Sequence, residues 1–173
     1  MKTKSALIAE LNGLVGAVGD KFDSSAPSGG EGDAERDFMA ARCPERLQDT
    51  IRSLPALGLH LLEVIAAGPL SVVALANRSG HLKGTVSKHV QRLVDAGLVL
   101  RSPVPGNRKE LSLTLTEDGA VVVDIHRKLH EEMNRGMADF LKRYTADELA
   151  LLVRVLTDLL ASEKVGVRLK PPN

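Results

Sequence analysis

Apolar residues recur at three- and four-residue spacing through most of this chain and alternate in one short stretch after its middle. Over Ser5–Val18 the helical spacing gathers Ala6, Leu7, Leu11, Leu14, Val15 and Val18 on one face, which needs a surface to pack on. Helical signals resume over Ala34–Arg42, restart at Pro44, a residue favoured in a first turn, and run to Ser53. Pro55–Ala67 is apolar on most sides, with His60 and Glu63 on one stripe, and Gly68-Pro69 ends it. Between these segments, Asp23–Asp33 is rich in Ser, Gly and Pro without apolar periodicity, so residues 23–33 are predicted to be a flexible linker.

The stretch Leu70–Thr116 carries the functional argument. Ser71 can cap a helix bearing Val72, Val73, Leu75 and Ala76, and Ser79-Gly80 stop it. A second helix, Lys83–Ala96, places Val86, Val90, Leu93 and Val94 on one side and Thr85, Lys88, Gln91, Arg92 and Asp95 on the other. That polar face has the width a DNA major groove admits. Gly97 ends the helix, and two alternating runs then flank Pro103–Lys109, whose Pro, Gly and Asn make a turn. Helix, sharp turn, helix and basic-tipped hairpin follow each other in the order of a winged helix-turn-helix.

The last third predicts two long helices. Thr116 caps the first, with Val122, Ile125, Leu129, Met133, Met137, Phe140 and Tyr144 in a stripe. Thr145 and Glu148 form a capping box for the second, whose apolar face is Leu149, Leu152, Val153, Leu156, Leu159 and Leu160. The expected fold is mainly α: a winged helix-turn-helix with a two-stranded β-wing and long N- and C-terminal dimerisation helices. The organisation reads as 1–22 an N-terminal extension helix, 34–54 and 117–165 a helical dimerisation region, and 55–116 the DNA-binding domain. The apolar area on these helices exceeds what one winged helix covers, and a two-fold homodimer is the economical way to bury it.

Charge sharpens the picture only locally. The whole chain has a formal net charge of +1. From Asn77 to Glu110, however, Arg78, Lys83, Lys88, Arg92, Arg101, Arg108 and Lys109 face only Asp95 and Glu110, an excess of five positive charges that leaves minus four elsewhere. Such concentration points to phosphate neutralisation. Aromatics make up 2% of the chain, which predicts an aliphatic core and excludes a base-stacking platform for single strands. No apolar run reaches membrane-spanning length, Glu10 and Asn12 interrupt any signal-peptide core, and a single Cys suits a reducing compartment; a cytoplasmic protein without membrane contact is expected. No nucleophile elbow, HExxH, CxxC or phosphate-binding loop occurs, so neither an enzyme nor a resident cofactor is expected.

The run from Leu59 to Gly119 resembles the DNA-binding domain of the MarR family of transcriptional regulators. The resemblance rests on the two-helix unit, the recognition segment TVSKHVQRLVDAGLV, the basic wing and the Leu115-Thr116-Glu117-x-Gly119 entry into the next helix, and it covers roughly residues 55–164. It departs at the wing tip, where the family commonly has Asp-x-Arg and this chain has Asn107-Arg108-Lys109. The resemblance implies a dimeric repressor of double-stranded, pseudo-palindromic operator DNA, relieved by a small-molecule effector held between dimerising helices and reading head. The candidate DNA contacts are Ser71, Lys83, Thr85, Ser87, Lys88, Gln91, Arg92, Arg101, Arg108 and Lys109.

Two sensing chemistries compete with a purely organic effector. His126 and His130 lie four apart on one helical face, and the position is similar to that of paired histidine ligands in zinc-responsive MarR members, with His60 near a further ligand. Leu59 stands where a ligating carboxylate is expected, and a solvated stripe on a charged helix is the leading reading of these histidines. Cys43 has Arg42, Arg46 and a helix start nearby, which would lower a thiol pKa and suit an oxidant sensor. A winged helix used only to bind protein, without DNA, is the remaining alternative.

Overall fold

In the computed structural model the backbone is described for residues 2–22, 34–104, 107–165 and 168–171; side chains at 19–22, 104, 107–110 and 164–165 fall outside that description. The proposed linker, 23–33, lies outside the described residues. Eight helices are described: α1 (Lys4–Phe22), α2 (Ala34–Ala40), α3 (Glu45–Ser53), α4 (Ala56–Ala66), α5 (Val72–Ser79), α6 (Lys83–Asp95), α7 (Glu117–Leu141) and α8 (Ala146–Ala161). The hairpin β1 (Val99–Val104) and β2 (Asn107–Leu115) falls between α6 and α7, and a short pair, β3 (Glu163–Val165) and β4 (Arg168–Lys170), follows α8. The chain forms two compact units, residues 28–130 and residues 1–27 with 131–173.

The first unit holds α2–α6, the hairpin and the beginning of α7 around one aliphatic core. Its fully buried side chains include Met39, Ile51, Leu61, Leu75, Val86, Leu93, Leu98 and Leu113. Local chemistry sets the helix ends as the sequence predicts. Ser71 Oγ accepts from Ala74 N at 3.3 Å, and Gly80 ends α5 at φ 70°, a left-handed conformation that glycine adopts without strain. Antiparallel pairing sets Val99 opposite Leu115 and Arg101 opposite Leu113, with a register shift at Pro103/Val104. Leu70 bridges to Leu113, so the entry to α5 is hydrogen-bonded to the wing.

Residues 34–54, grouped by sequence with the dimerisation helices, bury Met39, Ala40, Cys43, Leu47 and Ile51 in the same core as the helix-turn-helix. In the second unit α1 packs on α8, burying Leu7, Ile8, Leu11, Leu141 and Leu149. Lys4 Nζ donates to Lys142 O at 2.7 Å, and the Thr145–Glu148 capping box forms in both directions. The β3–β4 pair was not anticipated; three residues a side give too short an alternation to read. No helix among the described residues is long and apolar enough to cross a membrane.

The Leu-Thr-Glu-x-Gly entry has a steric reason. Thr116 N donates to Leu98 O (3.0 Å), Thr116 Oγ1 donates to Gly97 O (2.7 Å), and Gly119 N donates back to Thr116 Oγ1 (2.9 Å). These bonds press the first turn of α7 onto the exit of α6, where a Cβ at residue 119 would collide with the backbone oxygen of Leu98. Gly119→Ala should therefore destabilise by about 1–3 kcal/mol, as overpacked cores do, although Ala is intrinsically the better helix former. Urea unfolding checks it; an Ala variant as stable as the parent would show that this contact relaxes freely.

Candidate nucleic-acid interface

Helix α6 packs on the core through one side. Val86, Val90 and Leu93 are fully buried against the core, while Lys83, Thr85, Lys88, Gln91 and Arg92 are exposed on the opposite face. Ser87 is half-buried at the edge of that face, and Ser71 acts as the cap of α5. His89 is half-buried on α6, and burial, then Arg92 and His81, push its pKa below the ordinary imidazole value. At neutral pH it is uncharged and adds nothing to the positive field.

Gln91, expected among the DNA contacts, is engaged within the protein. Its Nε2 donates to Asp95 Oδ1 at 2.7 Å, and its Oε1 accepts from Arg101 Nη1 at 2.8 Å. Arg101, on β1, thereby ties the wing to α6 while keeping further guanidinium N–H groups available. Pattern reading missed this link because Gln91 and Arg101 belong to different elements. The side chains of Arg108 and Lys109, at the hairpin tip, lie outside the described residues.

Elsewhere in the same unit, the structure brings His60, His126 and His130 together. One ligand-capable atom from each lies within 4.8 Å of the others. The reading of His126 as part of a solvated stripe is corrected: it is 5% exposed, because α7 packs this turn onto α4. His126 Nδ1 donates to Glu63 Oε1 (3.3 Å), and Glu63 Oε2 accepts from Arg127 Nε (3.1 Å). The Nε2 atoms of His126 and His130 are 3.1 Å apart. Burial, together with His130 and His60, lowers the His126 pKa despite Glu63, so the ring is neutral at pH 7 and its Nε2 lone pair faces His130. These groups line a cavity of about 290 Å³ that also reaches Ser79 and His81, in the turn between α5 and α6.

Cys43 does not meet the expectation for an oxidant sensor. It is buried, its Sγ donates to Ala40 O at 3.3 Å, and burial pushes its thiol pKa up, outweighing the backbone contact and Arg52. The two arginines that were to activate it are engaged elsewhere. Arg42 stacks 3.5 Å from the centre of the Phe38 ring, and Arg46 pairs with Asp118.

Comparison with known proteins agrees with this architecture. The MarR family model matches residues 54–110. The uncharacterised HTH-type transcriptional regulator YhjH of Bacillus subtilis is 28% identical over 102 residues, covering 58% of this chain and 58% of its own length. This chain thus spans less than two-thirds of that relative. Among solved structures, Streptococcus pneumoniae FabT in complex with DNA has a TM-score of 0.54 at 20% identity, covering 66% of this chain and 81% of its own. A mutant of Lactococcus lactis ZitR has a TM-score of 0.55 at 16% identity, covering 92% and 97%. The segment matched by the MarR family model is the one that folds here as a helix-turn-helix followed by a two-stranded wing, so the chain is similar to that family over its reading head and shares the fold of these solved structures.

Proposed function

We propose that this protein is a transcriptional regulator that binds near-palindromic duplex DNA as a homodimer and represses a nearby gene until a small effector enters. The observation that carries this reading is α6, whose fully buried apolar stripe holds an exposed basic and polar face outward beside the wing. The structural likeness to FabT, a protein solved with DNA bound, supports it. Two copies are favoured by α8, which buries Leu149 on one side and leaves Leu151, Leu152 and Val155 about 40–50% exposed on another. The cavity beside Ser79 and His81 supports the effector clause, since a ligand there would touch the turn that leads into α6.

A second reading names the effector as a divalent transition metal. Three imidazoles converge, one buried and neutral, and its remote nitrogen is held by a carboxylate, an arrangement that orients metal-ligating histidines. His60, His126 and His130 would hold the ion, leaving a fourth position for solvent. The ion would supply a cross-link between α4 and α7.

In a mobility-shift assay on the DNA flanking its own gene, the protein should select one site over random duplex. Lys88→Ala should weaken that site by about 1–3 kcal/mol and change its preferred sequence. Arg108→Ala and Lys109→Ala should weaken specific and random duplex alike and reduce the salt slope. Equal losses of preference from helix and wing variants would refute this division of labour, and absence of binding at low salt would leave the protein-interaction module.

Sedimentation at micromolar concentration should show a dimer that protects two half-sites about 10 bp apart. Glu at both Leu152 and Val155 should give monomers that bind one half-site weakly. A wild-type monomer of full affinity would defeat the dimer.

For the metal, dialysed protein should retain about one zinc per subunit at about pH 7.5 and release it at about pH 5.5, as protons compete for the imidazoles. His126→Ala with His130→Ala should abolish retention. Zinc held equally by this double variant would remove the second reading and leave the organic effector.

A further inference from the structure

Leu82 is the residue whose placement the fold does not account for. It occupies the N-cap of α6 in an extended conformation (φ −62°, ψ 135°) and makes no side-chain cap. Ser, Thr, Asp and Asn are strongly preferred there because a side-chain oxygen satisfies an orphan N–H. It is also 81% exposed, the most open of the large hydrophobic side chains among the described residues, the next being Leu100 at 54%. Leucine thus forgoes a cap and leaves apolar surface in water, two costs with no return inside the molecule.

Its neighbours say what such a side chain can meet. Leu82, Thr85, Lys88 and Arg92 follow one another at three- and four-residue spacing and are all exposed, so Leu82 begins the outward face of α6. Gly84 beside it has open space where a Cβ would stand, and no carboxylate lies in the first turn to repel phosphate. The start of a recognition helix is the part that reaches base edges. The one apolar group on the major-groove edge of the four bases is the C5 methyl of thymine. We infer that Leu82 is a specificity residue that packs on a thymine methyl in each half-site. The assignment rests on the DNA-binding reading given above.

The test separates the methyl from every other feature of the base. A duplex selected by the full-length protein from a random library is resynthesised with each thymine replaced in turn by deoxyuridine, which lacks only that methyl. Wild-type affinity should fall about fourfold at one thymine per half-site, the effect of one methyl-sized apolar contact. Leu82→Ser should bind the thymine and uracil duplexes equally, yet unfold at a higher temperature than wild type because a cap is gained. Leu82→Met, which keeps a long apolar side chain, should retain the discrimination. Wild-type protein indifferent to every replacement, or a Ser variant as sensitive as wild type, overturns the assignment while leaving the regulator reading intact. Wild-type protein that selects no sequence overturns both.

Discussion

The seating of α6 is the constraint from which the rest of the reading head follows. Val86, Val90 and Leu93 reach zero exposure only because α4, α5 and the start of β1 close around them. Each such side chain contributes about 1.5–3 kcal/mol of burial, so the stripe determines which way the helix faces. The opposite face is then free of any packing duty and can be composed for a partner. Gly119 is the counterpart of this seating at the next corner. Its missing Cβ lets α7 start against Leu98 O, directly behind the exit of α6. Wing, α6 and the first turns of α7 are therefore registered by backbone hydrogen bonds, with Leu70 adding a tie to the wing.

The histidine cluster is built from the same packing. Placing Val122, Ile125 and Leu129 in the core brings the next face of α7 against α4, and His126 is carried inward with it. A buried imidazole needs partners, and Glu63 on α4 supplies one. Arg127 shares that carboxylate and helps to orient it. What results is a pocket in which three imidazoles and a carboxylate sit among apolar side chains, reaching as far as Ser79 and His81 beside the turn that leads into α6. Cys43 shows the opposite outcome of burial: an apolar site with one weak donor contact makes a thiol less reactive, whatever cations lie nearby in sequence.

Much of this was legible because caps and turns are local. Ser71, Gly80, Gly97, Thr116 and the Thr145–Glu148 box mark element ends through bonds reaching no more than a few residues, or through a positive φ. Periodicity likewise identified the buried faces of α6 and α7. It could not say what each face meets, such as the core that residues 34–54 share with the helix-turn-helix. Contacts between distant segments escaped for the same reason: His126 meets Glu63 across 63 positions, and Gln91 meets Arg101 across a helix end. Leu82 escaped because a sequence pattern records an apolar residue without showing whether anything covers it.

A net charge of +1 would make a poor polyanion binder if it were spread evenly. Here a surplus of five sits between Asn77 and Glu110 and the remainder of the chain is acidic by four. Such a distribution favours approach through one segment and disfavours it elsewhere, which trades general affinity for orientation. Within the segment the polar inventory is restrained further. Asp95 and Arg101 occupy Gln91, and burial holds His89 neutral. The face left open is a short series of side chains: an apolar tip at Leu82, a hydroxyl at Thr85 and cations at Lys88 and Arg92. Cations on phosphate neutralise charge without reading sequence, so discrimination comes from the side chains of this face that reach base edges, Lys88 by hydrogen bonding and Leu82 by apolar contact. An exposed leucine at the head of α6 thus adds to that readout an apolar contact that a lysine held on phosphate does not make.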